Sequence, residues 1–144
     1  MVDIIQLSTD TEQANDIAIA AIDADKKMIN FKSISDMANF LKTENGPEQG
    51  FIIGEIEGDP MAKNIDCPHT DVVEFLRQTV SRKSRIVLYT ANTLIAHTRL
   101  TTMDNIAFLP RKNAAPDEVI NELILKPTER ASLNGPIPGR FSNN

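Results

Sequence analysis

The chain has 144 residues, of which 41% are hydrophobic, with no Trp and one Tyr, so it fits a single domain with an aliphatic core. Its formal net charge of −5 is spread along the chain, which excludes the broad basic surface that attracts nucleic acid. Cys67 is the only cysteine, which excludes an intrachain disulfide and fits a reducing compartment, and no apolar run approaches the roughly 20 residues of a membrane span.

The amino terminus lacks the charged and apolar regions of a signal peptide, so a cytoplasmic location without membrane insertion is expected. Short apolar runs at Val2 to Leu7, Met28 to Lys32, Phe51 to Ile56, Ile86 to Tyr89 and Ile106 to Leu109 suit buried parallel strands. Between and after them, Thr11 to Lys26, Ser35 to Thr43, Thr70 to Arg82, Thr93 to Leu100 and Asp117 to Leu125 carry helical periodicity. Five strand–helix pairs predict a doubly wound α/β domain with a five-stranded parallel sheet. In such sheets ligands and chemistry gather at the carboxyl ends of the strands. Those ends hold Ser8, Thr9, Asp10, Glu55, Thr90, Arg111 and Lys112.

In the first helix, Ala14, Ile17, Ala18, Ala21 and Ile22 form a stripe for the sheet, leaving Ile19 and Ala20 on a flank with Asp16 and Asp23. Thr9 and Glu12 have the spacing of a capping box at its start. The loop after the third strand holds Asp66, Cys67 and His69. Crowded within four residues, they offer no second half-site, and no metal is expected there. Either His69 or Thr70 is expected to start the next helix, with Cys67 packed beneath the loop. Arg82-Lys83-Ser84-Arg85 reads as a solvated turn. From Pro127 to Asn144, three prolines and two glycines stop the periodicity. Residues 1–126 are therefore the expected domain and 127–144 a flexible tail, with Ile137 and Phe141 able to dock on a partner.

The order of elements and the strand-end residues resemble the receiver domain of two-component response regulators over residues 2 to 126. Thr90-Ala91 is similar to the Thr/Ser-Ala that ends the family's fourth strand, and Pro116-Asp117-Glu118-Val119 to the start of its last helix. By distance from Thr90 and Pro116, Lys112 matches the family's lysine; judged from Phe108, the usual aromatic of that strand, Arg111 takes the slot. The resemblance implies strand order 2-1-3-4-5, a flavodoxin-like sheet, and switch-like roles for Thr90, Phe108 and Lys112.

The departures from the family are concentrated in the pocket. Glu55 stands at the phospho-acceptor aspartate's position, and Ser8 and Thr9 stand where the family carries its acidic pair. A hard cation is held by carboxylates, so metal-assisted phosphoryl transfer is expected to be lost, with no cofactor and no enzymatic activity. The expected function is that of a stand-alone pseudo-receiver, signalling by phosphorylation-independent contact with a protein partner or as a homodimer. Glu55 is expected to pair with Lys112 or Arg111. Leu94, Ile95 and Leu100 mark the expected partner face, because such domains commonly use the fourth helix, fifth strand and fifth helix. Two other readings stand beside this one. The stretch Leu7 to Glu12 is similar to the hydroxyl-rich phosphate loop of flavodoxin-like proteins, which suggests a small flavin- or nucleotide-binding domain, although Asp10 would repel phosphate. A receiver that takes phosphate at Asp59 or Asp10 is the other.

Overall fold

The computed structural model describes residues 2–80 and 84–124. Five parallel strands, β1 (Ile4–Leu7), β2 (Met28–Phe31), β3 (Gly50–Ile53), β4 (Arg85–Thr90) and β5 (Ile106–Pro110), pair in the order β2-β1-β3-β4-β5. Every residue of β1, β3 and β4 is buried, whereas the edge strands β2 and β5 are mostly half-buried. The continuous apolar runs thus mark the three inner strands, which are covered on both faces.

The helices α1 (Thr11–Asp23) and α4 (Pro116–Ile124) cover one face, packing Ile17, Ala21, Val119, Ile120 and Leu123 against Ile4, Ile52 and Val87. On the other, α2 (Ile34–Thr43) and α3 (His69–Thr79) pack Met37, Val72 and Leu76 against Ile5, Leu7, Phe51 and Leu88. Since β1 has β2 on one side and β3 on the other, the chain reverses its direction of winding at the β1–β3 crevice, whose upper end carries the candidate site.

Several expectations change in the folded chain. No α-helix forms over 93–100; two 3-10 turns, Thr93–His97 and Arg99–Thr102, stand there. Threonine hydroxyls account for the break. Thr98 accepts from the Leu100 N–H and donates to the Ile95 carbonyl at 2.7 Å, while Thr101 and Thr102 donate to the carbonyls three residues back. These local bonds compete with helical ones. The tight turns point Ile95 and Leu100 into the core, at 0% and 5% exposure, and leave only Leu94 of the expected partner face outside. Ile22, expected against the sheet, is exposed, as is Ile19. Asp10, rather than Thr9, caps α1, accepting from the Gln13 N–H. Arg85, expected in a solvated turn, is buried and ion-paired with Glu122, its Nε donating to the Glu122 carbonyl at 2.9 Å. Ser84 of that turn is half-buried, while Arg82, Lys83 and the proposed tail at 127–144 lie outside the described residues. Among the described residues no helix is long and apolar enough to cross a membrane.

Candidate functional site

Glu55 follows the last residues of β3, and its side chain is 16% exposed. Its carboxylate meets three donors. One oxygen accepts from the Thr90 hydroxyl, which is buried at the end of β4. The other accepts from the Ala91 N–H at 2.9 Å and from Arg111 Nη1 at 3.4 Å. The same guanidinium nitrogen lies 2.9 Å from Asp10 Oδ2. Arg111 therefore bridges the carboxylates that follow β1 and β3. Partial burial opposes its charge, but Asp10 and then Glu55 outweigh that and hold its pKa above the usual value. The Asp10 carboxyl is held below its usual range, first by the Gln13 N–H and then by Arg111.

Of the two cations expected to pair with Glu55, Arg111 is the one that does so, and Lys112 is not in contact with it. β5 extends to Pro110, so Arg111 is the first residue beyond it, and the 3-10 turn Arg111–Asn113 leaves Lys112 exposed. Phe108 pairs with Leu88 across the β4–β5 ladder and packs, half-buried, on the core beneath the site.

Ser8 and Thr9 are structural fasteners between strands. Both the N–H and the hydroxyl of Thr9 donate to the Glu55 carbonyl, at 2.8 and 3.0 Å. Ser8 is fully buried; its hydroxyl donates to Gln13 Oε1 at 2.8 Å and accepts from the Asp10 N–H. The hydroxyls that a phosphate loop would turn outward are here turned inward. Gln13 supplies the centre of this network. Its Oε1 also accepts from the Glu55 N–H at 3.0 Å, and its Nε2 donates to the Tyr89 carbonyl at 3.1 Å. One side chain from α1 thereby ties the ends of β1, β3 and β4. Gly54 makes room for it, since a Cβ there would fall 2.1 Å from Gln13 Oε1. The sequence does carry a signal for Gln13: it precedes Ile17 and Ala21 at helical spacing, a polar residue on the stripe that faces the sheet.

The loop between β3 and α3 disperses the residues that the sequence crowds together. Asp66 is exposed, Cys67 lies in the core, and His69 is buried beneath Gly54. Asp59 accepts from the N–H groups of Ile34 and Met61, fixing the loop against the start of α2. His69 starts α3, and its Nε2 lies 2.7 Å from the Gly54 carbonyl oxygen. A carbonyl only accepts, so Nε2 carries the proton and the buried Nδ1 keeps a lone pair with no hydrogen-bond partner among the described residues. Burial pushes the imidazole pKa below its ordinary 6.5, against the opposing pull of Gly54 and Glu55. The unfolded chain consequently takes up this proton first, and stability falls as pH drops below about 6.5 towards the lower folded pKa. The lowered Asp10 acts in a separate window, its contribution being lost below its ordinary 3.8. Urea midpoints at pH 7.5 and pH 5 are expected to differ, and His69→Gln is expected to flatten that difference; an unchanged slope would assign it to other groups.

No family model and no curated protein matches the sequence. The chain is similar in structure to a de novo designed Rossmann 2x3 fold protein solved by solution NMR, with a TM-score of 0.61, 9% identity and 100% of each chain covered. At that identity the likeness is one of fold, a Rossmann-like α/β sheet of five parallel strands.

Proposed function

We propose that this domain is a pseudo-receiver that signals through protein contact and uses the Glu55 carboxylate as a built-in substitute for a phosphoryl group. The observation that carries this reading is the triple engagement of Glu55 by the Thr90 hydroxyl, the Ala91 N–H and Arg111. A hydroxyl, a backbone N–H and a cation converging on one anion form the donor set that would hold a phosphoryl group on a shorter aspartate. Here the extra methylene of glutamate places a permanent anion among them. Ser8 and Thr9 add no charge for a divalent cation, and their hydroxyls are spent on Gln13 and the Glu55 carbonyl. The conformation that a phosphorylated relative reaches transiently is then the resting state of this chain, presented to a protein partner.

Two measurements test the reading together. Acetyl phosphate or beryllofluoride with Mg²⁺ is expected to leave the protein's mass and its amide NMR shifts unchanged; saturable shifts around Glu55 and Thr90 would overturn it. Glu55→Gln is expected to cost about 1 to 3 kcal/mol, because an amide offers one acceptor oxygen to three donors and sets its own N–H₂ against one of them. The same variant is expected to broaden or split the amide signals of Ala91 and Asn92 as the β4 end samples a second position. Glu57→Gln, altering an exposed side chain, supplies the control. Equal and small effects of the two substitutions would remove Glu55 from the role of a conformational lock.

A further inference from the structure

Ile19 and Ile22 are 58% and 73% exposed, one helical turn apart on the outer side of α1. Beside them runs a shallow groove of about 300 Å³, lined by Asp16, Ile19, Ala20 and Asp23 of α1 and by Pro116 and Asp117 of α4. Every charged residue of α1 (Glu12, Asp16, Asp23) and of α4 (Asp117, Glu118, Glu122) is acidic. On the opposite face α2 and α3 carry mixed charges, including Lys42 and Arg77. Glu122 is paired with Arg85, and Lys26 and Lys27 follow the end of α1, but beside the ridge itself Asp16, Asp23 and Asp117 give the groove an acidic rim, and that rim selects what covers it.

We propose that this α1–α4 face is a docking surface for a cationic amphipathic helix of another protein. A partner helix with apolar residues at i, i+3 or i+4, and i+7 would lay them on Ile19 and Ile22 and into the groove, with Lys or Arg on its flanks against Asp16, Asp23 and Asp117. A second copy of this chain would bring the same acidic helices to a two-fold contact, and like charges would face one another. An anionic membrane surface is repelled for the same reason. The inference does not depend on the reading of Glu55, although α1 also carries Gln13, whose amide holds the Glu55 N–H.

The test uses the full chain, ¹⁵N-labelled, and a synthetic helical peptide with a Leu stripe flanked by Lys, beside a counterpart in which Glu replaces each Lys. The Lys peptide is expected to shift the amides of Ile19, Ile22, Asp23 and Asp117 saturably, and the Glu peptide to bind at least about tenfold more weakly. Ile19→Ser with Ile22→Ser is expected to reduce Lys-peptide affinity by at least about tenfold while the far-ultraviolet circular dichroism stays unchanged, both side chains being solvent-facing. Asp16→Asn with Asp23→Asn, a second and independent variant, is expected to weaken binding and flatten its salt dependence. Shifts centred elsewhere, or equal affinity in the isoleucine variant, would overturn the proposal. Concentration-dependent shifts at Ile19 and Ile22 without peptide would overturn it in favour of a second copy. Changes at those amides on Phe141→Ser would overturn it in favour of the chain's own carboxyl-terminal segment.

Discussion

Gly54→Ala is expected to cost about 2 to 4 kcal/mol, the sum of overpacking a dense site and breaking buried hydrogen bonds. The added methyl would lie 2.1 Å from Gln13 Oε1, 2.8 Å from Ser8 Oγ and 2.9 Å from Ser8 Cβ. Replacing glycine by alanine elsewhere often stabilises a protein, by about 0.4 to 1 kcal/mol, because the unfolded chain loses freedom. That gain is too small to offset the collision, since the Gln13 amide cannot swing away without taking from the Ser8 hydroxyl its 2.8 Å acceptor and from the Glu55 N–H its 3.0 Å one. Urea denaturation measures the loss as a lower midpoint at unchanged slope. The amide shifts of Glu55 and Ser8 should move together in the same variant. A neutral or stabilising result would mean that the Gln13 amide is not fixed where it stands.

The parts of this molecule that were legible in the sequence are those governed by burial. Ile4 to Leu7, Phe51 to Ile53 and Ile86 to Tyr89 are apolar with little interruption because α1 and α4 cover one side of the sheet and α2 and α3 the other. Periodicity likewise places four helices within a few residues of their observed ends. It fails at 93–102, where apolar spacing suggests a helix but Thr98, Thr101 and Thr102 satisfy nearby backbone groups locally. Propensity counts residues, whereas those hydroxyls act through particular bonds. Thr90, Glu55 and a cation beyond β5 were legible as strand-end residues. Which cation faces Glu55 was not, because one residue of strand length decides between Arg111 and Lys112. Gln13 and His69 are harder still. Each acts through contacts with residues 15 to 76 positions away in the chain, and only the folded sheet brings those together.

Gln13→Leu is expected to be at least as costly as the change at Gly54, at about 3 kcal/mol or more, although leucine is close in volume and suits a helix. It removes three bonds at once: from the Ser8 hydroxyl at 2.8 Å, from the Glu55 N–H at 3.0 Å and to the Tyr89 carbonyl at 3.1 Å. The Glu55 N–H and the Ser8 hydroxyl would then be donors without their main acceptor in a site that is nearly closed to water, and such groups bear most of their desolvation cost. The loss would also reach Glu55. Its N–H is anchored by Gln13 and its carbonyl by Thr9, while the carboxylate reaches Thr90 and Ala91, so releasing one anchor loosens the position from which the carboxylate works. Hydrogen exchange should accordingly speed up at Glu55 and Ala91 before it does in α3. A coupled pair gives the decisive comparison, because Gln13→Ser shortens the side chain and removes the closest of the collisions that a methyl group added at Gly54 meets, leaving those with Ser8. Gly54→Ala introduced into that background is expected to cost about 1 kcal/mol or more less than in the native chain, a non-additivity that neighbours in contact show and distant sites do not. Strict additivity of the two substitutions would mean that Gly54 and Gln13 contribute independently, and the link from α1 to Glu55 would then have to run through Ser8 alone.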